Sequence, residues 1–181
     1  MLHLKNITAG NPKTAEQYQM TKRHSIVWLF SEDGKNWYEE QKNFASDTIK
    51  VAYNERGRVV WVGKDVTGIE PTNVSIIELP DITANRRITA PGFWFYRNDE
   101  FVFDYKLKAE DERDTLLKQV SIMTGEWEKD LLLGLISDED KENLKAWRIY
   151  AKELQAMDLS TITDKATYNA INWPERPDAA A

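Results

Sequence analysis

The chain has 181 residues with no cysteine, seven tryptophans, and 24 Lys and Arg against 30 Asp and Glu, a net charge of −6. The missing cysteine excludes disulfide stapling and thiolate chemistry, no window nears the apolar length of a membrane span, and the N-terminus lacks the apolar run of a signal peptide. Leu, Ile, Val and Phe make 42 of the residues, enough for a folded core, so one domain or a domain with a smaller attachment is expected, acting where it is synthesised.

The charge divides the chain. Residues 1–107 carry 14 basic and 14 acidic side chains and residues 108–181 carry 10 and 16, so all six excess negative charges fall in the second part. The hydrophobic period changes at the same place.

In chain order, Met1 to Lys5 reads as a frayed end, and Thr14 to Met20 as one or two helical turns. Ile26 to Phe30 predicts a strand, Asp33-Gly34 a turn, and Asn36-Trp37-Tyr38 its hairpin partner, because glycine supplies the positive φ such a turn needs. A second hairpin runs from Thr48 to Tyr53, with Ile49, Val51 and Tyr53 on one face, through Asn54 to Gly57, to Val59–Val62. Val74 to Leu79 is a further strand stopped by Pro80, and Phe93 to Tyr96, Arg97-Asn98-Asp99 and Phe101 to Phe103 form a third hairpin. From Ala109 onward Leu116, Val120, Met123, Trp127 and Leu131 recur at helical spacing. Gly134 breaks that helix, Ser137 caps the next with acids in its first turn, and Leu144, Trp147, Ala151 and Leu154 mark its inner face. After Asp158 the pattern dissolves into an extended, mobile tail ending Trp173-Pro174-Glu175-Arg176-Pro177. The expectation is an α+β protein: an antiparallel, aromatic-rich β domain over 1–105, a helical hairpin over 106–158, and an extended tail over 159–181.

Chemistry has few candidates. His3 falls in the frayed end and His24 in a solvated Lys22-Arg23-His24 flank, and no nucleophile elbow, P-loop, zinc helix or dinucleotide turn occurs. The carboxylates gather in helical first turns, Glu110 to Asp114 and Asp138 to Glu142, where capping and solvation account for them, and no EF-hand spacing is present. No catalytic, cofactor or metal residue is therefore named, and the expectation is a protein that is not an enzyme. Phe93 to Tyr96 could stack bases, but a sequence pI near 5.1 opposes nucleic-acid binding. Seven tryptophans, four of them in a small β domain that cannot easily bury them all, suit a partner-binding surface, with Phe93, Trp94, Tyr96, Trp37 and Tyr38 as candidates.

Leu144-Lys145-Ala146-Trp147-Arg148-Ile149-Tyr150, then Leu154, Asp158 and Ile171-Asn172-Trp173-Pro174-Glu175-Arg176-Pro177 closely resembles the end of the phage tail fibre assembly proteins. Leu2 to Asn6, Gly10 to Thr14, Ser31 to Glu40 and Pro80 to Arg87 look like the Mu-type members of that family, so the resemblance covers nearly the whole chain. The stretch Leu159 to Ala170 is longer than the family's short connection. The resemblance implies a chaperone for the C-terminal, distal part of the phage's own tail fibre, promoting its folding and trimerisation without ATP or a catalytic residue. It implies action in the cytoplasm of the bacterial host during assembly, with persistence at the fibre tip as an extension.

The motif residues Trp147, Tyr150 and Leu154 read as structural, and Trp173 and Pro174 join the candidate contacts. An alternative is a virion-associated protein that binds host lipopolysaccharide through the aromatics near Phe93 to Tyr96. Homo-oligomerisation is left open. The client is expected on the β domain, whose aromatic strands and neutral charge suit apolar fibre strands.

Overall fold

The computed structural model describes residues 1–177, in two compact units, one spanning residues 1–103 and the other the described residues from 104 onward. The architecture is α+β: antiparallel strands in the N-terminal half, then helices.

The first unit is built on a five-stranded antiparallel sheet. Its strands are β1 (His3–Gly10), β2 (Trp28–Phe30), β3 (Thr48–Asn54), β4 (Val59–Gly63) and β5 (Val74–Pro80), in the order β2-β1-β5-β3-β4. A small separate sheet pairs β6 (Trp94–Arg97) with β7 (Glu100–Phe103). Because side chains alternate along a strand, the central strands supply two cores. Leu4, Ala52 and Ile76 join Leu29, Trp37 and Val66 on one face, whereas Ile49, Val51 and Val59 meet Ile88 on the other, with Trp94 and Phe101 packed alongside. The second and third predicted hairpins are present, Val51 facing Val62 and Trp94 facing Phe103.

Three sequence expectations for this unit are corrected. His3 does not fray: it opens β1, where it faces Ile77 of β5, and its Nε2 lies 2.7 Å from the Tyr53 hydroxyl. The alternation of β1 is hidden in the sequence by a bulge between Leu4 and Ile7 at Asn6, whose φ of 46° turns the strand. Thr14 caps a helix, α1 (Ala15–His24), which runs one turn past the expected end and includes His24. Trp37 and Tyr38 are not strand residues, because Asn36 caps a single turn, α2 (Trp37–Glu40), by accepting the Tyr38 N–H at 3.0 Å. Only Asn36 itself bridges to Phe30.

The second unit contains α3 (Tyr105–Leu133), α4 (Asp138–Ala156) and α5 (Lys165–Asn169). Asp104 caps α3, Gly134 ends it in the left-handed region at φ 69°, and Ser137 caps α4. Val120 of α3 packs with Trp147, Tyr150, Ala151 and Leu154 of α4, flanked by Leu116, Leu117 and Trp127. Met123 and Leu131, expected on that inner stripe, are exposed; Thr124 is the buried residue between Val120 and Trp127. The connection after α4 is more than an extended tail. Leu159 and Ile162 are buried with Ala109, and Asp164 and Thr167 form a capping box at the start of α5. Residues 171–177 carry no helix or strand, yet Trp173 packs against the α3–α4 core.

Candidate functional site

The aromatic hairpin was the first candidate contact surface, and its rings are largely turned on one another. Phe95 is buried, while Phe93, Trp94 and Tyr96 are half-buried. Trp94 meets Phe103 edge to face at 5.4 Å, and Phe93 meets the same ring at 6.2 Å. Tyr96 stacks on Tyr53 at 4.6 Å, with His3 edge-on to it at 5.7 Å. Burial, followed by the hydrogen bond its hydroxyl donates to Asp99 at 3.1 Å, pushes the Tyr96 hydroxyl up to about 12. Burial also lowers His3, with Lys5 adding to the effect. Neutral rings in mutual contact suit a packed aromatic cluster with part of its surface accessible.

Trp37 and Tyr38, adjacent in sequence, are placed oppositely. Trp37 is 1% exposed in the core beside Leu29 and Val66, so in the folded chain it cannot be a contact residue and its candidacy is withdrawn. Tyr38 is exposed, donates its hydroxyl to the Val27 carbonyl at 2.9 Å and sits edge-on to Trp28 at 5.8 Å. With exposed Val27 these residues form a small apolar surface that adds Trp28, whose indole N–H donates to Thr21 at 2.8 Å.

The long sequence motifs resolve into devices that set the fold. In Ser31 to Trp37, the Ser31 hydroxyl donates to Asp33, Lys35 pairs with Asp33 at 2.9 Å, and Gly34 takes a φ of 84°. In Pro80 to Arg87, Asp81 pairs with Arg86 at 2.6 Å and Lys64 at 2.7 Å, and these two cations hold its carboxyl down to about 2. Asn85 donates to the Pro80 carbonyl at 2.9 Å.

In the second unit Trp147, Tyr150 and Leu154 are buried. Trp173 and Pro174 line an open, largely apolar cleft of ≈ 420 Å³ with Glu112, Thr115, Leu116, Tyr150 and Arg176. Glu112 accepts the Tyr168 hydroxyl at 2.5 and 2.6 Å, and the Arg176 guanidinium lies over the Trp147 ring at 5.5 Å. This side chain contact ties the end of the described chain to the helix core. The cleft therefore joins Tyr150 of the first motif to Trp173, Pro174 and Arg176 of the second.

A cluster of highly exposed large aliphatic side chains lies elsewhere, at the turn of the α3–α4 hairpin. Leu132, Leu133 and Leu135 are 87%, 70% and 71% exposed. Sequence reasoning assigned no contact role here, although the signal is visible: Leu131 to Ile136 is apolar throughout apart from Gly134, and one helix face cannot bury such a run. Among the described residues no His, Asp and Glu cluster of metal-binding form occurs, and no helix is long and apolar enough to cross a membrane.

Comparison with known proteins gives these surfaces a context. Residues 39–178 match the model of the family described as "Caudovirales tail fibre assembly protein, lambda gpK". Over 184 aligned residues the chain is 44% identical to tail fiber assembly protein U' of Escherichia phage Mu and 45% identical to its namesake of Escherichia phage P1. It is 38% identical to tail fiber assembly protein U of Escherichia phage Mu. Each alignment covers 98% of this chain and 100% of the relative. The chain therefore belongs to the tail fibre assembly protein family, and its role is in the assembly of phage tail fibres.

Proposed function

We propose that this protein binds the distal, C-terminal part of its cognate tail fibre, shields its apolar surface and promotes its folding and trimerisation. Intertwined fibre chains must find register while apolar strands and open edges are uncovered, which is the state most prone to aggregation. A partner that covers such surface needs complementary apolar area and no turnover. The observation that carries the reading is the accessible apolar surface of a chain in an assembly family, above all the leucines around Gly134, joined by Val27 and Tyr38 in the first unit. The protein acts in the cytoplasm of the bacterial host while virions are built, and it needs no cofactor.

Co-expression with the fibre encoded beside it is the test. The fibre should form soluble trimers with this protein and aggregate without it; the same yield of soluble trimer in both cultures would remove the proposal. The β unit adds a second contact through the accessible edges of Phe93, Trp94 and Tyr96 together with Tyr38. Tyr38→Ala, which removes an exposed ring, should weaken fibre binding while leaving the melting temperature within a few degrees, as measured by calorimetry and circular dichroism.

A further inference from the structure

The turn of the α3–α4 hairpin combines exposed leucines, a groove and uncompensated charge. Leu131 and Leu132 line an open groove of ≈ 420 Å³ together with Glu128, the buried Leu144 and Arg148. Beside it α3 ends at Gly134, and the Leu135 N–H donates to the Asp130 carbonyl at 2.8 Å, which fixes Leu135 against the last helical turn. Among the described residues, Leu132, Leu133 and Leu135 belong to none of the four apolar core clusters.

The charges around this surface select its partner. All four nearby cations are already paired within the hairpin: Lys129 with Glu126 at 2.6 Å, Lys141 with Asp138 at 3.9 Å, Lys145 with Glu142 at 3.5 Å, and Arg148 with Glu128 at 3.9 Å. Asp130, Glu139 and Asp140 take part in no ion pair among the described residues; Asp140 accepts only the Ser137 hydroxyl, at 2.7 Å. The turn is therefore an apolar surface with unneutralised carboxylates around it. A second copy of this chain would bring the same carboxylates against them, so its apolar match would be opposed by like charge. A partner whose apolar residues are flanked by Lys or Arg matches both properties.

We propose that this turn is a docking site for a short apolar segment of the tail fibre flanked by basic residues, one aliphatic or aromatic side chain entering the groove beside Leu144. The proposal rests on the fibre-binding reading. The experiment titrates the full chain against the fluorescently labelled C-terminal part of the fibre encoded beside it, kept unfolded in urea and diluted immediately before mixing, by anisotropy at low and high salt. In L132S/L133S/L135S the dissociation constant should rise about tenfold or more, with an unchanged thermal melt because the three side chains face solvent. D130K/E139K should weaken binding at low salt, with a smaller difference at high salt.

Wild-type affinity in the leucine variant, or undiminished low-salt affinity in the charge variant, overturns the docking site while fibre binding stands. Sedimentation in which the wild type self-associates and the leucine variant is monomeric, at equal fibre affinity, assigns the surface to a second copy and also overturns it. A wild type that fails to bind the fibre removes the fibre reading, and this site with it. Should the leucine variant melt early, the charge variant decides the matter.

Discussion

Glu78 is a buried carboxylate that holds three segments together. It accepts the N–H of Leu2 at 3.0 Å, the N–H of Ala45 at 2.7 Å and the hydroxyl of Thr48 at 2.7 Å, and it faces Lys50 across the β3–β5 pair. Burial pushes its carboxyl up, but the Leu2 N–H, the Thr48 hydroxyl and the Ala45 N–H outweigh burial and leave it below its usual 4.5. A carboxyl lowered in the folded state contributes stability above its unfolded pKa and loses it as pH falls through the folded value. Glu78→Gln should therefore flatten the decline in urea midpoint between about pH 5 and pH 3. Glu78→Ala should cost about 1–3 kcal/mol at neutral pH, because it removes three hydrogen bonds, two of them from partly buried N–H groups, and leaves the buried Lys50 ammonium with only the Ala45 and Thr48 carbonyls. None of this was legible in the sequence. Glu78 stands in an apolar strand, and its partners lie 30 or more positions away. Trp37 was misread for a related reason: Asp33-Gly34 does mark a turn, but the Asn36 cap redirects the chain into α2 and turns the indole inward. Aromatic count alone cannot separate a ring that fills a core from one that meets a partner.

At the scale of elements, legibility followed periodicity. The Thr48 to Val62 hairpin, the Ser137 cap and the inner face of α4 were readable because alternation, capping chemistry and helical spacing are local. Strand β1 was not, since the bulge at Asn6 places Leu4 and Ile7 three apart and breaks the period of two. The stripe of α3 drifted because Thr124, a polar residue, holds an inner position, while Met123 and Leu131 stay in solvent. Gly134 was legible, and its role is testable. Its φ of 69° is costly for a residue with a Cβ, although an added methyl would meet no atom within 4 Å. Gly134→Ala should therefore destabilise the protein by about 1 kcal/mol through backbone conformation alone, readable as a lower melting temperature. The same change leaves the exposed leucines in place, so it separates the geometry of the turn from its apolar surface.

For the whole molecule, the sequence division by charge and period has a counterpart in two units with separate cores. Residues 1–103 should accordingly fold when expressed alone, giving a dispersed amide spectrum and a cooperative melt; a collapsed spectrum would show that the first unit depends on the second. The family resemblance was legible because its motifs are long. Much of their content is structural, in turns such as Ser31 to Trp37 and Pro80 to Arg87, so a motif can identify a family without marking its contact surface. The order of the strands also bears on biosynthesis. β1 leaves the ribosome well before its partner β5, made about 70 residues later, a separation that delays closure of the sheet. Leu4 and Ile7 must therefore wait without their β5 cover until Val74–Pro80 emerges, so nascent chains stalled before that point would carry part of a core that they cannot yet close.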